Sequence, residues 1–207
     1  MPSVYERVLG SRIDGLDQGL RRYFGELPPG SVGRGTGVYE VAGSRHRWAW
    51  PVLAWLARRQ VLFPEYGRGI PFTVENRGDR SARRTFAFPG ITRVMVDEMS
   101  VVDGALRDRL GRRGGLEVEL ALEVEHGSLH MRSRRQWLNL GALRIRMPGL
   151  VRVTLTESAV GEGRQRVDVR MTAPVLGEVF RYLGEFTYAV SEPGEISSSD
   201  RSSEPRP

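Results

Sequence analysis

The segment GGLEVELALEVEHGSLHMRSRRQWLNL, residues 114–140, limits the fold more than any other part of the chain. Leu116, Val118, Leu120, Leu122 and Val124 alternate with Glu117, Glu119, Ala121, Glu123 and Glu125. A period of two puts one set on a buried face and the other in water, the pattern of an antiparallel strand with one wet side. His126-Gly127 then fits a two-residue hairpin turn, since Gly tolerates the positive φ such turns require. That turn sets Glu125 opposite Ser128, Val124 opposite Leu129, Glu123 opposite His130 and Leu122 opposite Met131. Continued unbroken, the same register places Glu119 opposite Arg134 on the wet face. On the inner face it puts Ser133 opposite Leu120, Arg135 opposite Val118 and Trp137 opposite Leu116.

An inward Arg135 needs a partner, because an unpaired buried charge is costly. Three placements are open. Arg135 sits at the end of the sheet and reaches water, or it pairs with an inward carboxylate (Glu98 and Glu157 qualify by alternation), or it faces a cavity and holds the anionic head of an apolar ligand.

Strand signals continue on both sides. Candidate strands are 71–76, 82–88, 91–102, 104–110, 116–125, 128–139, 150–159, 164–173 and 178–190, separated by turn chemistry such as NRGD, FPG, VDG and VGEG. A twisted sheet this wide curls, because it rarely stays flat and open. In the last strand Phe180, Tyr182, Phe186 and Tyr188 share a face with a gap at Gly184. They form either packed core or a cavity wall whose Tyr182 and Tyr188 hydroxyls serve as polar handles.

The N-terminal third differs. SVYE fits a capping box with Ser3 as N-cap and Glu6 reaching back. Val8, Leu9, Ile13, Leu16, Leu20 and Phe24 extend a helical period, giving a helix over 3–25 that Gly10, Gly15 and Gly19 weaken by about 1 kcal/mol each. GSVGRGTG reads as a flexible connection, since its glycines precede a short strand at 38–42 rather than the helix a phosphate loop needs. A second helix spans 51–63, opened by Pro51 and ended by Pro64. On its wheel Val52, Leu53, Leu56 and Phe63 face the core, while Trp55 and Leu62 point away beside Arg58 and Arg59. Trp55 is then covered by another element, closes a cavity as a lid, or meets a membrane surface. The apolar run is far shorter than the roughly 20 residues that cross a bilayer.

Composition narrows the function. With no Cys, thiolate catalysis, disulfides and zinc–thiolate sites are excluded. All 31 basic residues are Arg, a chain-wide bias, and the net charge is +6. The pairs Arg21/Arg22, Arg58/Arg59, Arg83/Arg84 and Arg112/Arg113 are dispersed along the chain, which argues against a nucleic-acid footprint. His46, His126 and His130 do not converge, so no metal site is expected, and no cofactor motif is present. Asp97 and Glu98 are adjacent on a strand and point to opposite faces, so they form no dyad. No secretory leader is visible, and the expected location is the cytoplasm. Residues 191–207, SEPGEISSSDRSSEPRP, are expected to form a disordered tail after one domain over 1–190.

Three stretches, VYEVAGSRHRWAWPVLAWLARRQVLFPEYGRGIPFTVEN, the 114–140 segment and VDVRMTAPVLGEVFRYLGEF, resemble the bacterial domain-of-unknown-function family numbered 4166. The resemblance covers roughly residues 4–190. It implies a β-rich domain with no established active site. That family also occurs joined to dehydrogenase-like dinucleotide-binding domains, which implies a metabolic partner protein of that kind.

The expected fold is α+β: a strongly curved antiparallel sheet or open barrel of about nine to ten strands, with two principal helices packed on it. The expected function is non-enzymatic binding of a small apolar or amphipathic ligand in a β-lined cavity, with Arg135, Trp137, Tyr182, Tyr188 and Trp55 as candidate binding residues. The alternatives are a solid-cored accessory module serving a metabolic enzyme, or an enzyme with a cavity site. Peripheral membrane contact through the Trp55 face is a further expectation.

Overall fold

The computed structural model describes residues 2–78, 81–161 and 163–191. Helix α1 (Val4–Leu9), a 3-10 segment (Gly10–Gly15) and α2 (Gln18–Phe24) come first. Strand β1 (Val32–Gly43), a short 3-10 turn (Arg47–Ala49) and α3 (Trp50–Arg58) follow. The rest is strand: β2 (Tyr66–Gly67), β3 (Ile70–Arg77), β4 (Ser81–Phe88), β5 (Ile91–Val102), β6 (Ala105–Leu110) and β7 (Leu116–Glu125). Then come β8 (Ser128–Leu140), β9 (Leu143–Met147), β10 (Arg152–Ala159), β11 (Arg164–Ala173) and β12 (Gly177–Ser191).

Ten of these strands close into an antiparallel barrel, with β2 and β9 outside it. The chain meanders through β3, β4, β5, β6, β7 and β8, passes to β10, β11 and β12, and returns to β1, which pairs with β3. Closure at β8 is shared along its length. Its first half pairs with β10 through Leu129–Glu157 to Arg132–Thr154, and its second half with β9. Closing the sheet removes the unpaired edges that an open sheet of this width would expose.

Each end has its own plug. At one end α1, the 3-10 segment and α2 bury Val4, Leu9, Leu16, Leu20 and Phe24 against Leu106, Leu120, Leu122 and Leu129. The expected capping box is present: the Glu6 N–H donates to Ser3 Oγ at 3.1 Å and the Ser3 N–H donates to the Glu6 carboxylate. Ser3 Oγ also donates to Phe24 O at 2.6 Å, tying the start of α1 to the end of α2. The single helix expected over 3–25 is thus a folded-back pair, broken at Gly10, whose φ is +58°. The Asp17 N–H donates to Gly127 O at 2.9 Å, latching α2 to the β7–β8 turn. At the other end α3 contributes Leu53, and the segment after it contributes Val61, Leu62 and Phe63. The helix stops at Arg58, five residues short of the expected end, and the wheel must be corrected with it. Leu62 is buried because it lies beyond the helix, and Val52 is 62% exposed.

The strand beginning β1 also needs correction. GRGTG is not a flexible connection. Gly33, Gly35 and Gly37 lie on the barrel's inner side, where the rings of β12 take the space. A Cβ at Gly35 would stand 2.7 Å from Val74 and 2.8 Å from the Phe186 ring, and one at Gly33 would collide with the Tyr188 hydroxyl. The gap at Gly184 is filled by Tyr39 in the same way.

The β7–β8 turn is as expected, with His126 and Gly127 at φ of 49° and 78°. Pairing follows the expected register from Glu125–Ser128 to Leu120–Ser133. There a bulge leaves Arg134 as an extra residue, so Glu119 pairs with Arg135 and Glu117 with Trp137. One inserted residue turns every later side chain to the opposite face. Arg135 and Trp137 therefore face outward, and Gln136 turns inward to donate to Val151 O at 2.6 Å. The wet face is corrected too: Glu117 and Glu119 are buried on the outer wall beneath Arg107, Arg135 and Arg144.

The last strand reaches Ser191, the first residue of the expected tail. The remainder of that tail, 192–207, lies outside the described residues.

Candidate functional site: a cavity above a buried charged cluster

The barrel interior is not uniform. Toward the α3 end it is packed with rings. Phe63 lies 4.7 Å from Phe86 and 5.1 Å from Phe180, and Tyr39 lies 4.4 Å from Phe72 (centroid distances). Midway along, several strands each turn a charged residue inward in phase with their apolar neighbours. Arg84 shares a face with Phe86 and Phe88, Asp97 with Met95 and Met99, Asp108 with Leu106 and Leu110, and Glu157 with Val153 and Leu155. Alternation fixes these directions once the apolar face is known.

Arg84 and Asp97 form a close ion pair. Only 1% of the Asp97 side chain is exposed, against 15% of Arg84. Burial pushes the Asp97 carboxyl up while the guanidinium in contact with it pulls the other way. Arg84 stays protonated: burial works against the charge, but Asp97 and the surrounding tyrosines outweigh it. The other two carboxyls have no such contact. Burial lifts Glu157 to about 8, against a weaker pull from Arg84. Asp108 is raised well above the usual carboxylate range by burial and then by the Asp97 charge. Burial disfavours every further charge beside the Arg84–Asp97 pair, which is why both remaining carboxyls are raised. Asp97 Oδ2, Asp108 Oδ1 and Glu157 Oε2 have no hydrogen-bond partner among the described residues. Burial also raises the phenols of Tyr23, Tyr39 and Tyr182, keeping them as donors.

Above this cluster, on the α1–α2 side, lies a cavity of about 670 Å³. Arg84 and Asp97 form its floor, Tyr5, Tyr23 and Phe24 one wall, and Asn76 and Ser81 part of the rim. The wall is held by ring contacts, Tyr5–Phe24 at 4.6 Å and Tyr23–Phe24 at 4.9 Å, and by Tyr5 Oη donating to Met99 Sδ at 2.9 Å. The site therefore offers aromatic surface to an apolar group and a fixed guanidinium to a polar one.

Of the residues singled out from sequence, two belong to the barrel interior. Tyr182 is buried between Tyr39 and Phe180 in the packed half. Tyr188 packs on Tyr23 at 4.7 Å beside the cavity, and the Asn76 side-chain amide donates to its hydroxyl at 3.4 Å. The other three lie outside the barrel. Arg135 pairs with Glu119 at 3.7 Å. Trp137 lies between the Arg107 and Arg144 guanidinia, 5.1 and 4.3 Å from its ring. Trp55 stands on α3, 38% exposed, under the Arg59 guanidinium at 3.8 Å. Arg84, Asp97 and Asp108 were not singled out as site residues, although a charged residue in step with an apolar face was the available signal. Of the two inward carboxylates expected, Glu157 is inside and Glu98 is exposed.

His130 Nδ1 lies 3.1 Å from Thr156 Oγ1. Among the described residues no three His, Asp or Glu side chains converge as metal ligands, and no helix is long and apolar enough to cross a membrane.

No curated protein and no solved structure matches the chain. The sequence profile of one family does match, over residues 16–186, which include α2, α3 and all but the end of the strand region. On that coverage the chain belongs to the domain-of-unknown-function family DUF4166.

Proposed function

We propose that this barrel binds a small amphipathic molecule in the cavity beneath α1 and α2. The carrying observation is the floor of that cavity, where Arg84, held in an ion pair by the buried Asp97, meets a space of about 670 Å³ walled by aromatic rings. A ligand's apolar body lies against Tyr5, Tyr23 and Phe24, and its polar end meets Arg84. Closed barrels with room for one small ligand are a known use of such architecture, although fold alone assigns no function.

A second reading rests on Glu157. A carboxyl poised near 8 within a buried cluster is suited to proton transfer at neutral pH. Glu157 is not on the cavity lining, so this reading, in which the barrel is an enzyme, requires a ligand that reaches past the Arg84–Asp97 floor.

Native mass spectrometry of the protein purified from its own host tests the first reading, together with titration of an amphipathic fluorescent probe, anilinonaphthalene sulfonate. Ala82, on the cavity lining, provides the control: Ala82→Phe fills the space and should abolish probe binding while the melting curve is retained. A wild-type protein that carries no ligand and binds no probe rules the proposal out. Chemical conversion of a retained ligand, lost in Glu157→Gln, selects the second reading.

A further inference from the structure

Outside the barrel, α3, the β6–β7 turn and the β8–β9 turn enclose a groove of about 980 Å³. It shares no lining residue with the interior cavity. Arg58, Arg59, Arg109, Arg112, Arg113 and Arg144 line it, and Glu117 is the one carboxylate among the described lining residues. Glu117 is already committed, accepting from Arg144 at 2.7 Å and Arg107 at 3.3 Å. Arg58, Arg59, Arg109, Arg112 and Arg113 form no ion pair among the described residues. Elsewhere the pattern is different. Arg166 reaches Glu40 and Glu185, Arg181 reaches Asp168 and Arg93 reaches Glu65. Other arginines without an ion pair among the described residues, such as Arg7 and Arg134, are scattered over the surface, whereas five such guanidinia line this one groove.

The groove is also built to stay in place. The Arg112 N–H donates to Arg59 O at 3.0 Å, joining the β6–β7 turn to the end of α3. The Asn139 N–H donates to Gly115 O and its side-chain amide to Gly114 O, both at 2.8 Å, joining the β8–β9 turn to the same loop. Two of the arginines sit over indoles, Arg59 over Trp55 at 3.8 Å and Arg144 over Trp137 at 4.3 Å from the ring centroid. A guanidinium so placed is held in position while its N–H edge stays available for an anion. Gly114 leaves room for Arg109, since a Cβ there would stand 2.9 Å from its Nε.

We infer that this groove is a binding site for a ligand bearing two or more phosphate groups. Clustered guanidinia without counter-charges repel one another, and a compact oligophosphate relieves that repulsion with bidentate hydrogen bonds. A monovalent anion would leave most of the groove's charge unmatched. The phosphates belong either to a soluble oligophosphate or to a phospholipid head group.

The test uses the intact protein and inorganic triphosphate, followed by calorimetry and by Trp fluorescence, to which Trp55 and Trp137 contribute. The variant is Arg112→Gln/Arg113→Gln, both exposed. The control is Arg7→Gln/Arg22→Gln, which removes the same charge from the other end of the molecule, and thermal melts verify that both fold. The expected result is saturable binding that the groove variant weakens by about ten-fold or more and the control by less than about two-fold. Absence of saturable binding, or an equal loss in both variants, overturns the inference, the second because charge alone would then explain the affinity. Sedimentation with phosphatidylcholine vesicles containing a phosphoinositide separates the sources. Co-sedimentation that the groove variant abolishes assigns a lipid head group, and triphosphate binding without co-sedimentation assigns a soluble ligand.

Discussion

Arg84 on β4 and Asp97 on β5 are ion-paired inside the barrel, at the boundary between a packed aromatic half and an open cavity. Their strands are neighbours in antiparallel register, with Ala82 opposite Asp97 and Arg84 opposite Met95. The pair is therefore a diagonal contact across one face of the sheet.

Removing one member should cost far more than removing both. Arg84→Met leaves Asp97 buried without its cation, and a loss of about 3–5 kcal/mol is expected at neutral pH. Arg84→Met/Asp97→Leu replaces the pair with apolar volume and should recover most of that loss. Urea midpoints of the two variants decide the matter. Equal losses would mean that the pair contributes no coupling.

Glu157 gives the domain a pH dependence of definite sign. Its carboxyl is raised from 4.5 to about 8 by burial, so between those values the folded state keeps a proton that the unfolded chain has released. Stability then falls as pH rises through that window, because the folded state binds more protons. Glu157→Gln removes the titration. Compared with the wild type, the variant should gain relative stability between pH 5 and pH 8, by up to about a few kcal/mol. Thermal melts at both pH values measure the difference, and parallel curves would sink the assignment.

On β7 the outward glutamates are not equivalent. The Glu123 side chain is 58% exposed, and Glu123→Ala should change stability by less than about 1 kcal/mol. Glu117→Ala leaves Arg107 and Arg144 on either side of Trp137 with no carboxylate between them, and a loss of about 2 kcal/mol or more is expected. Leu122 points into the core, so Leu122→Asp should cost more than about 4 kcal/mol. Chemical denaturation of the three variants should rank them in that order.

Local periodicity made most of the barrel legible. All nine expected strands exist, because alternation and turn chemistry act within a few residues. The β2 and β9 strands were missed: one has two residues, and the other has five that alternate Arg with apolar groups on an exposed flap. The bulge at Arg134 left no local mark. It inverted the faces of Arg135 and Trp137, and so removed both from the interior where an unbroken register would have put them.

The sequence by itself determined the antiparallel meander, the β7–β8 turn and the capping box at Ser3, each of which depends on neighbours in the chain. Tertiary structure decided what those elements enclose. Arg84, Asp97, Asp108 and Glu157 come from separate strands, and only closure of the sheet sets them around one interior. The arginine pairs 58/59 and 112/113 are dispersed in sequence, yet hydrogen bonds between α3 and the β6–β7 turn bring them to a single groove. The physical reason is range: side-chain direction follows from φ and ψ one residue at a time, whereas a site is made by contacts between residues far apart in the chain, and these depend on register and closure.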